Sequence, residues 1–165
     1  APQVNTKKAN VVVSGLLDNL RSELNVGAAF RTANGAGLSH LFLCGITPTP
    51  TENKRITKTA LGADQTMAWS YHPNALTLAD QLKRSGAQLI ALESTPEAIS
   101  LFDYSISPSD LRSVVLVVGG ELAGVDPGLL DLCEKVLFIP MHGSKGSLNA
   151  SVAFGIAAYW LISHI

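Results

Sequence analysis

Residues 136–162 constrain the fold of this chain more than any other stretch. An apolar run, Val136 to Ile139, reads as a short buried strand that stops at Pro140, which has no N–H to give a ladder. Gly143 and Gly146 punctuate the next loop, where the backbone can turn sharply or approach a ligand closely. Ser147 or Asn149 can cap the helix that follows by accepting an orphan backbone N–H. From Leu148 that helix is apolar almost all round, through Val152, Ala153, Phe154, Ile156, Ala157, Ala158, Tyr159, Trp160, Leu161 and Ile162. Such a helix must be covered on most sides. In a chain of 165 residues a sheet covers one side, and a second copy of the chain is the natural cover for the other.

That length is expected to form one domain over 1–165, with 47% apolar and 15% charged residues excluding disorder. Ala1 to Asn10 is polar and does not read as a signal peptide, and the last helix is too short and mixed to span a bilayer, so no membrane is expected. Cys44 and Cys133 lack metal-ligand spacing and sit in apolar surroundings. They read as buried free thiols of a reducing cytoplasm, with no metal site. Net charge is −1, but residues 1–60 hold seven basic groups against three acids, and the remainder five against ten. A polyanion-facing side is one reading of that asymmetry and ordinary surface variation the other.

Strands alternate with helices. Val11–Val13 reads as a first strand followed by turn residues Ser14 and Gly15. A helix is expected from an Asn25 N-cap to Gly35 or Gly37, burying Val26, Ala29, Phe30 and Ala33 and leaving Gly27, Arg31 and Asn34 outside. Leu41–Cys44 is a second strand, then a proline-broken loop leads to a short helix at Ile56–Leu61. Thr66–Tyr71 can form a strand, and Ala75–Arg84 an amphipathic helix with Leu76, Ala79 and Leu82 inside. Gln88–Leu92 is a strand, and Val114–Val118 reads as a central parallel strand buried on both faces. Asp126 as N-cap and Pro127 at the first helical position start another helix. The pattern predicts an α/β layer fold with a mostly parallel sheet flanked by helices.

In such sheets ligands bind at the carboxyl ends of strands. Three such ends, Leu92–Thr95, Gly119–Gly124 and Ile139–Ser147, can together form a pocket for a nucleoside-like ligand, with Leu92 and Glu93 in its wall. No G-x-G-x-x-G follows the first strand and no G-x-x-x-x-G-K-[ST] loop is present, which disfavours a phosphate-bearing cofactor.

Asn25-x5-Arg31, Gly119-x-Glu121-x2-Gly124 and Ile139-Pro-Met-x-Gly-x3-Ser147-Leu-Asn149, in that order, resemble the three signature motifs of the SpoU (TrmH-like) branch of the SPOUT RNA methyltransferases. Lys54-Arg-Ile-x-Lys-Thr-Ala-Leu-Gly-Ala63 is similar to a further stretch common there. The resemblance covers the chain from about Val11 to its end. It implies S-adenosylmethionine as methyl donor, a tRNA or rRNA ribose 2′-hydroxyl as acceptor, and a homodimer through the first and last helices. It also implies a deep C-terminal trefoil knot, which no periodicity argument would give.

Residue by residue, the resemblance makes Arg31 the catalytic arginine. A guanidinium is a reluctant base, so orienting ribose and phosphate and stabilising alkoxide charge is the safer role. Asn25, Glu121, Ser147 and Asn149 match the other catalytic motif positions; Glu121 would fix its loop or the partner subunit's arginine. Gly119, Gly120, Gly124, Ile139, Met141 and Leu148 match positions that hold the cofactor, together with Glu121, Ser147 and Asn149. Gly120 departs from the usual asparagine, which would loosen the loop, and Ala150 stands where valine is common. No separate RNA-binding domain is expected, so Lys7, Lys8, Arg21, Lys54, Arg55, Lys58 and Lys145 are the candidate phosphate contacts, with salt-sensitive affinity. The leading expectation is an RNA ribose 2′-O-methyltransferase. The alternative is a dimeric RNA-binding protein that kept the fold and lost catalysis.

Overall fold

The computed structural model describes residues 11–106 and 113–165. Among these residues seven strands, β1 (Val13–Asp18), β2 (Leu41–Cys44), β3 (Trp69–His72), β4 (Gln88–Leu92), β5 (Ile99–Ser100), β6 (Val114–Val118) and β7 (Lys135–Phe138), form one sheet. Its order is β3-β2-β1-β6-β4-β7-β5, and every pairing is parallel. Parallel neighbours need crossovers, and these include α1 (Glu23–Ala36), α2 (Ile56–Ala60), α3 (Ala63–Thr66), α4 (Ala75–Arg84) and α5 (Pro127–Leu132). A final helix, α6 (Ala150–Ser163), follows β7.

All residues of β1 and β6 are buried, because helices lie on both faces of the sheet. The period-2 alternation divides each strand between two cores. Val114, Leu116 and Val118 of β6 pack with α1, α2 and α6, whereas Val115 and Val117 pack with α4 and α5. On the first face Phe30 and Phe154 are the largest fully buried side chains. α6 settles closely there: a Cβ on Gly155 would lie 3.2 Å from Thr32, and one on Gly35 would lie 2.8 Å from the Tyr159 hydroxyl. Phe154, Ala157, Ala158 and Leu161 of α6 are buried, while Val152 and Tyr159 remain about half exposed, at 50% and 49%. The Trp160 indole N–H donates to the Tyr104 carbonyl at 2.9 Å and Phe102 meets the Trp160 ring edge-on, tying residues 102–104 to the end of α6.

Several boundaries differ from the sequence expectation. β1 runs from Val13 to Asp18, so Ser14 and Gly15 are strand residues rather than a turn. Gly15 is there because a Cβ would lie 2.8 Å from Leu41 and 3.0 Å from the Phe154 ring; the strand is bare where α6 presses on it. α1 starts earlier than expected: Ser22 is its N-cap, accepting from the Asn25 N–H at 3.1 Å, and Asn25 is therefore not the cap. Gly37, with φ of 83°, ends it. Asn149 rather than Ser147 caps α6, which begins at Ala150. In α4 the buried residues are Ala75, Leu78 and Ala79, and Leu76 is 41% exposed because it sits in the first turn, off the packed stripe. The third strand starts at Trp69.

Both thiols are free, and burial above all pushes Cys44 and Cys133 up to about 12. Among the described residues no helix is long and apolar enough to cross a membrane, and no group of three metal-ligating side chains occurs.

Candidate active site

The loops leaving β4, β6 and β7 enclose one cavity of about 630 Å³. Its wall comprises residues 92–94 after β4, 118–125 after β6, and 138, 139, 141, 146–150 and 153 from β7 into α6. All the cofactor positions expected from the sequence therefore meet here: Leu92, Glu93, Gly119, Gly120, Glu121, Gly124, Ile139, Met141, Ser147, Leu148 and Asn149.

The turn at 119–124 is held by backbone and a carboxylate. The Gly124 N–H donates to the Gly120 carbonyl at 3.0 Å. Glu93 accepts from the Val125 N–H at 2.9 Å and from the Ser94 N–H at 3.1 Å. Gly124 has φ of 68°, and a Cβ there would lie 2.2 Å from Glu93. A Cβ on Gly119 would fall 2.2 Å from the Gly124 carbonyl group, so the turn closes only on glycine. At Gly120 the limit is Asn19, whose carbonyl oxygen would be 2.5 Å from a Cβ. Gly120 thus leaves the room that the Asn19 carbonyl occupies.

A hydrogen-bonded chain joins all three motif segments. Glu121 accepts from the Arg21 N–H at 3.2 Å, the Ser22 N–H at 3.3 Å and the Asn25 side-chain amide at 3.2 Å. Burial alone would raise its pKa, but the bonds from its own N–H, from Asn25 and from the Arg21 and Ser22 backbone hold the carboxyl below its usual value. The carboxylate also meets the positive end of α1. Asn25 in turn accepts from the Ser151 hydroxyl at 3.3 Å, and Ser151 reaches Asn149 Oδ1 at 2.7 Å. Asn149 Oδ1 caps α6 by accepting from the Ser151 N–H at 2.9 Å and the Val152 N–H at 3.3 Å. One hydroxyl proton cannot serve both asparagines equally, and the shorter contact marks Asn149 as its main acceptor.

Sequence reasoning missed Ser151. Its signal was there: a serine two residues beyond a capping asparagine falls within reach of that side chain. It also missed Leu122 and Ala123, at the tip of the glycine turn, and Asn19.

Arg31 is not in the cavity wall. Six residues beyond Asn25 on a helix means about 9 Å of rise and about 240° of rotation. Arg31 is exposed on α1 and makes no hydrogen bond or ion pair among the described residues. Of the expected phosphate contacts, Arg21, Lys54, Arg55, Lys58 and Lys145 are exposed, and Arg55 approaches Glu23 at 3.7 Å. Lys7 and Lys8 lie outside the described residues.

A parallel sheet whose late loops close over one cavity at the foot of a terminal helix is a SPOUT-type α/β fold. The chain belongs to the SpoU rRNA Methylase family, whose sequence profile matches residues 12–159. It is 30% identical, over 143 residues, to the tRNA (guanosine(18)-2′-O)-methyltransferase of Aquifex aeolicus, an alignment that covers 86% of this chain and 64% of that one. It is 31% identical to the 23S rRNA (guanosine(2553)-2′-O)-methyltransferase of Bacillus subtilis, covering 88% of this chain and 56% of that one. Among solved structures it is similar to an AdoMet-bound rRNA methyltransferase from Sinorhizobium meliloti, at a TM-score of 0.83 and 25% identity, covering 93% of this chain and 57% of the other. The chain spans less than two thirds of the length of these relatives.

Proposed function

We propose that this chain is an S-adenosylmethionine-dependent RNA ribose 2′-O-methyltransferase acting on tRNA or rRNA as a homodimer. The observation that carries the reading is that the second and third motif segments line one cavity, and that Asn25 of the first is tied to both by its bonds with Glu121 and Ser151, which reaches Asn149. The cavity suits an adenosine without phosphate. Leu92, Ile139, Met141 and Leu148 supply apolar wall, and the bare backbone at Gly119 and Gly120 allows close approach. When bound there, S-adenosylmethionine supplies a sulfonium-activated methyl group.

The residues of the chain supply the rest. Glu121, ionised at neutral pH, holds the first turn of α1 against the glycine turn, and Asn149 fixes the start of α6 beside it. Arg31 of the second subunit orients the ribose and its phosphate and stabilises the alkoxide that forms as the hydroxyl proton leaves. The supporting facts are that Arg31 has no hydrogen bond or ion pair among the described residues and does not line the cavity of its own subunit. The half-exposed Val152 and Tyr159 on α6, beside α1, support a dimer seated on these two helices. The expected C-terminal knot belongs to the same reading; the bond from Trp160 to the Tyr104 carbonyl and the Phe102 ring contact tie residues 102–104 to α6.

The test incubates the protein with isotopically methyl-labelled S-adenosylmethionine and either unmodified total tRNA or ribosomal RNA, and analyses the nucleosides by mass spectrometry. A single labelled 2′-O-methyl nucleoside is expected. RNA binding with neither labelled product nor S-adenosylmethionine binding would move the chain to the class of non-catalytic RNA-binding proteins.

A further inference from the structure

Formal charge in the wall of the cavity has one sign. Glu93 and Glu121 line it, and among the described residues no lysine, arginine or histidine does. Arg21 and Lys145, from adjoining segments, are not part of the wall. Neither carboxylate has an ion pair among the described residues. The groups that hold them are neutral donors. Glu93 accepts from the Val125 and Ser94 N–H groups, and Glu121 from the Arg21 and Ser22 N–H groups and the Asn25 amide. Such bonds favour the charged form of a carboxylate and leave its charge in place.

Positive helix ends offset only part of this charge. The end of α1 meets Glu121, and that of α6 opens at Asn149 and Ala150 in the wall. A helix terminus carries about half a unit charge. At α6, Asn149 Oδ1 already accepts from the Ser151 and Val152 N–H groups. Glu93 bonds to neither helix; it stands on the loop after β4, and α5 has an acid of its own, Asp126, as its cap. Glu93 is therefore the less compensated of the two acids, and the wall as a whole is negative.

The methyl donor and the spent cofactor differ by one charge. Methyl transfer breaks an S–C bond and forms an O–C bond. The sulfur keeps the electron pair and becomes a neutral thioether, while the hydroxyl proton leaves to solvent. The amino and carboxylate groups of the methionine tail are the same before and after. A fixed negative wall attracts the sulfonium and gains nothing from the thioether, and a partly enclosed site screens that attraction less than bulk water does. We propose that Glu93, seconded by Glu121, makes this cavity selective for the cationic donor over the neutral product, so that S-adenosylhomocysteine is released and replaced rather than retained. The proposal rests on the methyltransferase reading and adds what the acids of the cavity do in turnover.

Titration calorimetry of the RNA-free protein compares three ligands: S-adenosylmethionine, S-adenosylhomocysteine and sinefungin. Sinefungin carries a protonated amine where the donor carries its sulfonium, and has no methyl to transfer. The donor and sinefungin are each expected to bind about tenfold more tightly than S-adenosylhomocysteine. S-adenosylhomocysteine binding as tightly as the donor, or sinefungin binding no better than S-adenosylhomocysteine, would overturn the proposal. Glu93→Gln keeps an oxygen for the part-buried Val125 N–H and gives up only the exposed bond from the Ser94 N–H. It should narrow the tenfold preference to about threefold or less. A purely structural role would weaken all three ligands alike, and an unchanged preference in this variant removes Glu93 from the selection. The wild-type series decides even if the variant does not fold. Failure of all three ligands to bind would remove the methyltransferase reading itself, whereas binding without preference removes only the charge selection.

Discussion

The first turn of α1 and its middle stand in opposite relation to the rest of the chain. At the first turn, Arg21, Ser22 and Asn25 all donate to Glu121, and Asn25 accepts from Ser151, so two other segments of sequence lock it in place. Two turns further on, Arg31 is exposed and has no hydrogen bond or ion pair among the described residues. A long cationic side chain loses rotamer entropy when ordered, and none of the described residues orders it by a hydrogen bond or ion pair. The contrast divides the proposed site: the cavity lies among the late loops of one chain, and the arginine proposed to meet the alkoxide does not line it.

Removing the isolated residue should produce the largest change. Arg31→Ala is expected to lower kcat/KM by about a hundredfold or more while S-adenosylmethionine affinity by calorimetry stays within twofold. Loss of cofactor binding would show instead that Arg31 belongs to the cavity. The next effect is on assembly. Val152→Asp places a charge on the half-exposed face of α6, away from Phe154 and Leu161, and should convert the proposed dimer to folded, inactive monomer by light scattering. An active monomer would mean that the two ends of α1 need no second subunit.

The locked end responds more mildly. Gly120→Asn, which installs the residue the resemblance leads one to expect, should destabilise this chain by about 1–3 kcal/mol, because the new Cβ meets the Asn19 carbonyl. A thermal shift of zero would show that Asn19 can retreat. The smallest effect is that of pH. Glu121 has a folded pKa below its ordinary 4.5, so its stabilisation is complete above that value and is lost as pH falls through the depressed one. Glu121→Gln should flatten stability in that acid window and leave the slope near neutrality unchanged.

The same division explains what could be read from sequence. The motif loops were legible because glycines, a proline and capping residues impose local backbone geometry, and the sheet orders them at one edge. The β-branched run Val114–Val118 and the periodic helix Ala75–Arg84 were legible for the same local reason. Gly15 misled because its meaning is tertiary: it marks the approach of Phe154, 139 residues away, and not a turn. Asn25 misled because Ser22 already supplied the cap, which released the asparagine side chain to Glu121 and Ser151. A second, smaller cavity beside the glycine turn left no motif at all. It arises where Asn19, Ile46 and the glycine turn, far apart in sequence, meet at adjacent strand ends.

A mixed dimer tests the division most directly. Asn149→Ala, which removes the cap and one end of the motif lacing, should inactivate the cavity of its own subunit. Arg31→Ala should inactivate only the site on the partner. Each homodimer is then inactive, but co-expression of the two variants gives mixed dimers with one intact cavity facing one intact arginine. Random pairing is expected to recover about a quarter of wild-type methylation. Mixed dimers, verified by mass, that remain as inactive as either parent would contradict the account and place Arg31 in service of its own subunit.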